Sequence, residues 1–388
     1  MSPAGAQNLV KPADVSKAMQ ILDHTPSRAS LPCYIQIDKT PRLDFEFRYT
    51  ESFLVECRLG GVIQPGTRLI SVLRITPRQG EPVLMMENFA VPPAQPHNLS
   101  TIYALPSQMT ASMSGGFAMG PGRYSFEMVV TDLKGHTCRK QIAIKPIEDR
   151  GARAVPFAIE PGAVAPLMNT RWTGALHDNG LRVTIFLNAY VPNRYTYLQV
   201  LDRSYLVQSL DSLLTQLPCK SVRLVAFELD RQLQFFRSES LDPGGFLELQ
   251  RSLQRINYAS ISYKALMKDS WRKFLVDLVQ TESARSEPPD AIIFLGAWGS
   301  HEWDKLPEAT TREIEVSNAH VFYFELFPLA GGAPDGVERL TKDLHGTIFA
   351  IRSADTLAGA IKKTEVLAAT APDQEAGEKS GAGDSSAH

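Results

Sequence analysis

Hydrophobic and polar positions change period along this chain, and the change divides it into two parts. From Tyr34 onward, apolar residues alternate with polar ones between Gly and Pro turn signals, which is typical of half-buried antiparallel strands. Residues 181–190 form instead a continuous apolar run after the turn signal of residues 178–180. Such a run predicts a strand buried on both faces, and helical and strand patterns alternate beyond it to about residue 370.

The last hairpin of the first part carries a short motif. It contains Gly-x-Tyr-x-Phe over residues 122–126 and Val-Thr-Asp-x-x-Gly over residues 130–135. This motif resembles the final hairpin of immunoglobulin-like modules in exported bacterial proteins. Together with roughly seven short strands separated by turns, the resemblance implies a β-sandwich.

The second part resembles the von Willebrand factor type A domain in its order of elements. The order is strand, long helix, strand, short hairpin strand, two helices, three strands and a helix. More narrowly, the chain resembles the VWFA-related proteins of acidobacteria, in which a mostly β region precedes such a domain. The resemblance covers about half of the chain. It implies an α/β doubly wound, mostly parallel sheet preceded by an all-β immunoglobulin-like sandwich, in a multidomain protein.

In that family the central strand ends in Asp-x-Ser-x-Ser, whose oxygens bind Mg²⁺. The matching positions of this chain hold Asn188, Tyr190 and Pro192. Asn188 offers a neutral oxygen in place of a carboxylate, the hydroxyl of Tyr190 lies too far out, and Pro192 has no side-chain oxygen. Hard cations need a ring of oxygen ligands with negative charge, so these residues predict a degenerate site.

The other two loops of the family's metal site differ as well. Ser260 or Ser262 matches the family's Thr in the second loop. Residues 296–299, Gly-Ala-Trp-Gly, follow the fourth strand where the family has Thr-Asp-Gly. Because no carboxylate remains at either family position, we predict no cofactor. Mg²⁺ would bind only if other ligands rescued the site.

The patterns predict five segments. These are an N-terminal helix or extension over 1–31, an immunoglobulin-like β-sandwich over 32–147, a linker over 148–179, a von Willebrand A-like α/β domain over 180–370 and a disordered tail over 371–388.

Composition narrows the classes of partner. The 388 residues are 44% hydrophobic and carry a net charge of -2, so the chain lacks the basic excess that attracts nucleic acid. No apolar run reaches the length of a membrane span. Residues 1–30 lack the continuous apolar core of a signal peptide. The resemblance to exported proteins predicts an extracytoplasmic location, secreted or periplasmic, if a signal peptide has been removed. The alternative is a cytoplasmic protein.

Four cysteines are present, without the paired spacing of a zinc site. Cys57 and Cys138 both lie on the apolar side of alternating strand patterns. They would face each other across a sandwich and form a disulfide in an exported protein, or remain two small buried thiols.

Two further clusters follow the predicted strands. His301, Glu302 and Asp304 lie just past the fourth strand of the second part, but the second histidine of a His-Glu-x-x-His zinc motif is missing. Tyr190 and Trp298 are residue types that anchor protein interfaces.

We predict a non-catalytic protein-interaction or adhesion module with a protein partner. The alternatives are a hydrolase that uses the His301 cluster and a metal-dependent adhesin with substituted ligands. The candidate binding residues are Asn188, Tyr190, Ser260, Ser262, Trp298 and His301.

Overall fold

The computed structural model describes residues 8–24, 30–64, 66–91, 110–132, 134–147, 155–167, 170–190, 200–229, 231–256, 270–297, 319–328 and 335–369. The chain divides into two compact units, residues 1–169 and 170–388. Each unit is described by itself.

The first unit consists of two antiparallel sheets and a helix. The helix is α1 (Val15–His24), and the strands are β1 (Asn8–Leu9), β2 (Cys33–Ile37), β3 (Arg42–Leu43), β4 (Tyr49–Arg58), β5 (Arg68–Pro77), β6 (Val83–Ala90), β7 (Thr110–Met119), β8 (Tyr124–Asp132), β9 (Thr137–Ile144) and β10 (Val164–Pro166). One sheet has the order β1-β6-β5-β8-β9. The other has the order β10-β7-β4-β2, with β3 paired to β4.

The two sheets share one core. Alternate residues of β4, among them Phe53 and Val55, are buried and pack with Phe117 of β7 and Phe126 of β8. The rings of Phe117 and Phe126 stack with their centroids 6.0 Å apart. Alternation with a period of two therefore places one face of each strand in a sandwich core.

The second unit contains the third sheet. Its strands are β11 (Leu181–Asn188), β12 (Cys219–Glu228), β13 (Leu233–Ser238), β14 (Ala291–Ala297), β15 (His320–Leu326) and β16 (Thr347–Ile351). The helices are α2 (Val200–Gln216), α3 (Pro243–Arg255), α4 (Ser270–Ser283), α5 (Gly336–Asp343) and α6 (Ala354–Ala369). The strand order is β13-β12-β11-β14-β15-β16.

Aromatic and aliphatic residues fill one face of this sheet. Phe186 of β11 and Phe294 of β14 stack with ring centroids 5.0 Å apart. Leu275 of α4 and Leu340 of α5 belong to the same buried cluster. Helices α4 and α5 therefore cover this face.

The fold class that the sequence predicted is wrong for this chain. Across the described residues the structure is mostly β, in three sheets with few helices, and antiparallel pairings outnumber parallel ones. Parallel pairing is confined to five strands of the third sheet, whose edge strand β13 runs antiparallel to β12. A doubly wound, mostly parallel α/β fold does not describe this architecture.

The hydrophobic pattern underestimates the antiparallel part of the chain, because weakly apolar strands do not show a clear period of two. The residues before Gly122 are rich in Ser, Gly and Met and show little hydrophobic alternation, but they contain the ten-residue strand β7. A Cβ added to Gly115 would lie 2.5 Å from the ring of Phe53, so close packing within the sandwich requires a glycine there. Strand β10 lies inside the predicted linker and pairs with β7.

The predicted disulfide is also wrong. Cys138 is bonded to Cys33, whereas Cys57 is a free, buried thiol. Both pairings join β9 to the opposite sheet, so hydrophobic alternation alone did not distinguish β2 from β4 as the partner strand.

Candidate functional site

The carboxyl ends of the parallel strands meet at one edge of the third sheet. Asn188 of β11 is aligned with Gly296 of β14, and Gly296 with Glu325 of β15. Residues aligned in this way on parallel strands point to the same face, and neighbouring strands lie about 4.8 Å apart. Asn188 and Glu325 therefore lie in one row, about 10 Å apart at the backbone, with a glycine between them.

Asn188 is the polar residue at one end of this row. Its side chain is buried, with 3% of its surface exposed, and its Oδ1 has no hydrogen-bond partner within the part of the chain that the structure describes. A Cβ on Gly296 would lie 2.6 Å from the backbone oxygen of Asn188 and 2.8 Å from its Cβ. Only glycine allows this close approach, and it leaves the space beside Asn188 without a side chain.

Glu325 is buried beside other acidic groups. Burial, followed by the charges of Asp335 and Glu338, raises its pKa to about 7 against the opposing effect of Arg352 and Lys342. No ion pair of Glu325 is found among the described residues. The carboxyl group is therefore partly protonated near neutral pH and supplies less negative charge than an ordinary glutamate.

Asp335 organises the side of the row next to Glu325. Its Oδ1 accepts a hydrogen bond from the backbone N–H of Glu338 at 2.6 Å and caps helix α5. Its Oδ2 accepts a hydrogen bond from the hydroxyl of Tyr323 at 2.9 Å. Burial raises the pKa of Tyr323 well above its ordinary value, so this hydroxyl stays protonated and keeps donating.

The opposite face of the sheet has a compensated carboxylate at this edge. Phe227 is aligned with Asn188, so the next residue, Glu228, points the other way. Glu228 accepts hydrogen bonds from Arg231, at 3.0 Å from its backbone N–H and at 2.9 Å from Nε. Glu228 is therefore part of a local ion pair and does not add to the row.

The described residues at this edge do not fit a Mg²⁺ site. They supply one amide oxygen from Asn188 and, about 10 Å away, a carboxyl group that is held partly protonated. Within the described ranges no three His, Cys, Asp or Glu side chains are arranged to hold a metal ion. Mg²⁺ demands an octahedral set of oxygens and fixed negative charge, which these residues lack.

The predicted site residues divide into two groups. Asn188 and Tyr190 lie at the end of β11, where the sequence placed them. The remaining predicted residues lie outside the described residues: Pro192, Ser260, Ser262, Trp298, His301, Glu302 and Asp304. Sequence reasoning missed Glu325 and Asp335. A glutamate inside the apolar strand of residues 320–326, followed by the Asp335-Gly336 helix start, was the available signal.

The first unit carries an open groove of about 370 Å³ formed by three turns. The groove is lined by Pro77, Arg78, Gln79, Pro121, Gly122, Arg123, Pro161 and Gly162. The backbone N–H of Arg78 donates to the carbonyl of Arg123 at 2.8 Å, which joins two of the turns. Two arginines give this groove a positive rim.

No protein-family model matches the chain, and no curated protein matches it. Solved structures are similar only distantly. An aerotolerance-related membrane protein from Bacteroides fragilis is 13% identical over 48% of this chain and 100% of its own, with a TM-score of 0.30. The proximal thread matrix protein 1 of the mussel byssus, which has a zinc-occupied MIDAS motif, is 11% identical, with a TM-score of 0.32; the match covers 51% of this chain and 49% of the mussel chain.

The PilB minor pilin from Streptococcus sanguinis is 9% identical over 92% of this chain and 96% of its own, with a TM-score of 0.28. All three TM-scores lie below 0.5, so no inference about function rests on them. Within the described ranges, no helix combines the length and apolar character needed to cross a membrane.

Proposed function

We propose that the second unit is a non-catalytic protein-interaction module that binds its partner at the carboxyl edge of the third sheet without a divalent cation. The observation that supports this proposal is the buried Oδ1 of Asn188 at the end of β11, which has no hydrogen-bond partner among the described residues. A buried acceptor without a partner costs roughly 1–3 kcal/mol. A ligand that supplies the missing donor would offset this cost.

The charge of the row favours a partner over a cation. Asn188 is neutral, Gly296 has no side chain and Glu325 has a pKa raised to about 7. A hydrogen-bond donor of a partner protein can satisfy Asn188 without the negative charge that Mg²⁺ requires. The resemblance of the sequence to VWFA-related proteins supports the same proposal, because it aligns Asn188 with a metal-binding aspartate of that family.

The disulfide supports an extracytoplasmic location as part of the proposal. The bond between Cys33 and Cys138 joins the two sheets of the first unit. Such bonds persist in oxidising compartments and are rare in the cytosol of mesophiles.

Calorimetry on the full chain tests the independence from metal. Titration with Mg²⁺, Ca²⁺ or Mn²⁺ is expected to give no saturable heat below about 1 mM, because the row offers too few charged oxygens. A micromolar site that disappears in Asn188→Ala but persists in the exposed-turn control Asn179→Ala would overturn the proposal in favour of a metal-dependent adhesin. A site that disappears in His301→Ala would favour the hydrolase.

Partner capture tests the interaction itself. Proteins retained by the immobilised full chain are expected to stay bound in EDTA and to be lost from Asn188→Ala, while Asn179→Ala retains them. Release by EDTA, or equal retention by both variants, would contradict binding at this row.

A further inference from the structure

Three of the four cysteines lie together in the core of the first unit. Cys33 of β2 is bonded to Cys138 of β9, with their Cα atoms 6.1 Å apart. Cys57 of β4 is buried in the same hydrophobic cluster as Cys138, and Cys33 packs against that cluster. A free thiol therefore shares one core with the disulfide.

Strand register places Cys57 directly opposite Cys33. The two residues are partners in the antiparallel pairing of β2 with β4. The backbone N–H of Arg58 donates to the carbonyl of Pro32 at 2.9 Å, which marks Pro32 and Arg58 as a hydrogen-bonded pair. Such pairs alternate with non-hydrogen-bonded ones, in which the Cα atoms lie about 4.5 Å apart and the side chains approach more closely. A Cα separation of this size permits a disulfide.

We propose that Cys33, Cys57 and Cys138 form an intramolecular thiol–disulfide exchange site, in which Cys33 has two alternative partners. The thiol of Cys57 loses its proton, and the thiolate attacks Sγ of Cys33. A bond forms between Cys57 and Cys33 while the bond between Cys33 and Cys138 breaks. Cys138 leaves as a thiolate and takes up a proton, so one disulfide replaces another without an oxidant or a reductant.

The exchange changes what the covalent bond holds together. The bond from Cys33 to Cys138 links β2 of one sheet to β9 of the other. A bond from Cys33 to Cys57 would link two neighbouring strands of the same sheet. The second isomer therefore lacks the disulfide between the sheets, and this property is independent of the function proposed for the second unit.

The environment of Cys57 controls the rate of the thiol–disulfide exchange. Burial raises the pKa of its thiol to about 11, so the nucleophilic thiolate is rare at neutral pH. Glu56 and Arg58, its neighbours in β4, alternate to the other face of the strand, away from the core. Exchange is therefore expected to be slow at pH 7 and faster in alkaline buffer.

Disulfide mapping of the full chain tests the proposal. Unreduced protein is incubated at pH 7 and pH 9 under native conditions, quenched in acid with a thiol-alkylating reagent, digested and analysed by mass spectrometry. We expect a peptide pair linked through Cys33 and Cys57, together with alkylated Cys138, to increase with time and to form faster at pH 9.

Two single variants act as matched controls in this experiment. Cys57→Ala should keep only the original linkage, whereas Cys219→Ala, which removes the buried free thiol of the second unit, should behave as the wild type. Wild-type protein that contains only the bond from Cys33 to Cys138 at every time and pH would overturn the proposal. Linkages that include Cys219 would also overturn it, because they would show unspecific exchange through unfolding.

A third variant makes the test independent of the folding of Cys57→Ala. In Cys138→Ala, Cys33 and Cys57 should form a disulfide in a buffer of oxidised glutathione. Two alkylatable thiols after prolonged oxidation would show that they cannot pair, and would contradict the exchange site.

Discussion

Buried polar groups at the amino and carboxyl edges of the third sheet differ in how fully they are hydrogen-bonded. Near the amino edge, the buried Glu282 accepts hydrogen bonds from Arg237 at 2.6 Å, from Arg285 at 3.0 Å and from the hydroxyl of Thr184 at 3.3 Å. At the carboxyl edge, Asn188 has an unpartnered oxygen among the described residues.

This difference indicates that the amino edge contributes mainly to stability and that the carboxyl edge is suited to binding. A buried charge with several donors holds the elements around it in place, whereas an unpaired acceptor costs stability and is available to a ligand. Glu282 belongs to helix α4 and accepts a hydrogen bond from Thr184 of β11, the strand that ends at Asn188. The same framework can therefore fix the geometry of the binding row. The comparison predicts large losses of stability near Glu282 and smaller or pH-dependent effects at the carboxyl edge.

The largest effect is expected for Glu282→Ala. Arg223, Arg237 and Arg285 would keep their charges around a site that has lost its carboxylate. Breaking a buried ion pair from one side costs roughly 3–5 kcal/mol. Urea unfolding measures the loss, with the exposed Glu365→Ala as a control that should change stability by less than about 0.5 kcal/mol. Equal losses in both variants would remove the contrast between the edges.

A loss of roughly 2–4 kcal/mol is expected for Asp335→Ala. The change removes the cap of α5, worth about 0.5–2 kcal/mol, and leaves the buried hydroxyl of Tyr323 without its acceptor. Tyr323→Phe removes only the second interaction and should cost less. Thermal unfolding of both variants checks the order, and a larger cost for Tyr323→Phe would mean that the cap contributes little.

The effect of Glu325→Gln should depend on pH. The pKa of Glu325 is raised from 4.5 to about 7 in the folded protein. Below pH 4.5 both states hold the proton, and between pH 4.5 and 7 the unfolded state releases it first, so stability falls as pH rises. Glutamine removes this penalty.

The expected gain for Glu325→Gln is about 1–3 kcal/mol at pH 8 and none at pH 4. Denaturant unfolding at both pH values measures it. Glu51 of the first unit, whose pKa burial also raises to about 7, is present in both proteins and cancels in the comparison. A variant that is less stable than the wild type at pH 8 would indicate that ionised Glu325 has a favourable partner.

The smallest effect is expected for Arg182→Ala. Arg182 and Asp290 form an ion pair at 2.5 Å at the amino edge, but about a third of each side chain is exposed. Pairs of this kind contribute about 0.2–1 kcal/mol and are screened by salt. Unfolding in low and high salt should show a small cost that shrinks as salt is added. A large, salt-independent cost would mean that this pair contributes to stability as strongly as the buried ion pairs of Glu282.

Local patterns in the sequence determined several elements and one part of the site. The apolar run of residues 181–190 is β11 over Leu181–Asn188, and the motif of residues 122–135 includes β8 and its turn. Asn188 was placed correctly at the end of the central strand. Such features depend on near neighbours in the chain, because burial of one face or both faces of a strand imposes its own period on the residues.

Tertiary structure alone decided the features that depend on distant residues. The partner of Cys138 follows from which strand of the opposite sheet lies beside β9, and the period of a strand carries no information about that choice. Strand β7 likewise depends on a distant residue, because the ring of Phe53 on the neighbouring strand β4 leaves no room for a side chain at Gly115. The raised pKa of Glu325 likewise arises from burial and from Asp335, ten residues farther along the chain and brought close only by the fold.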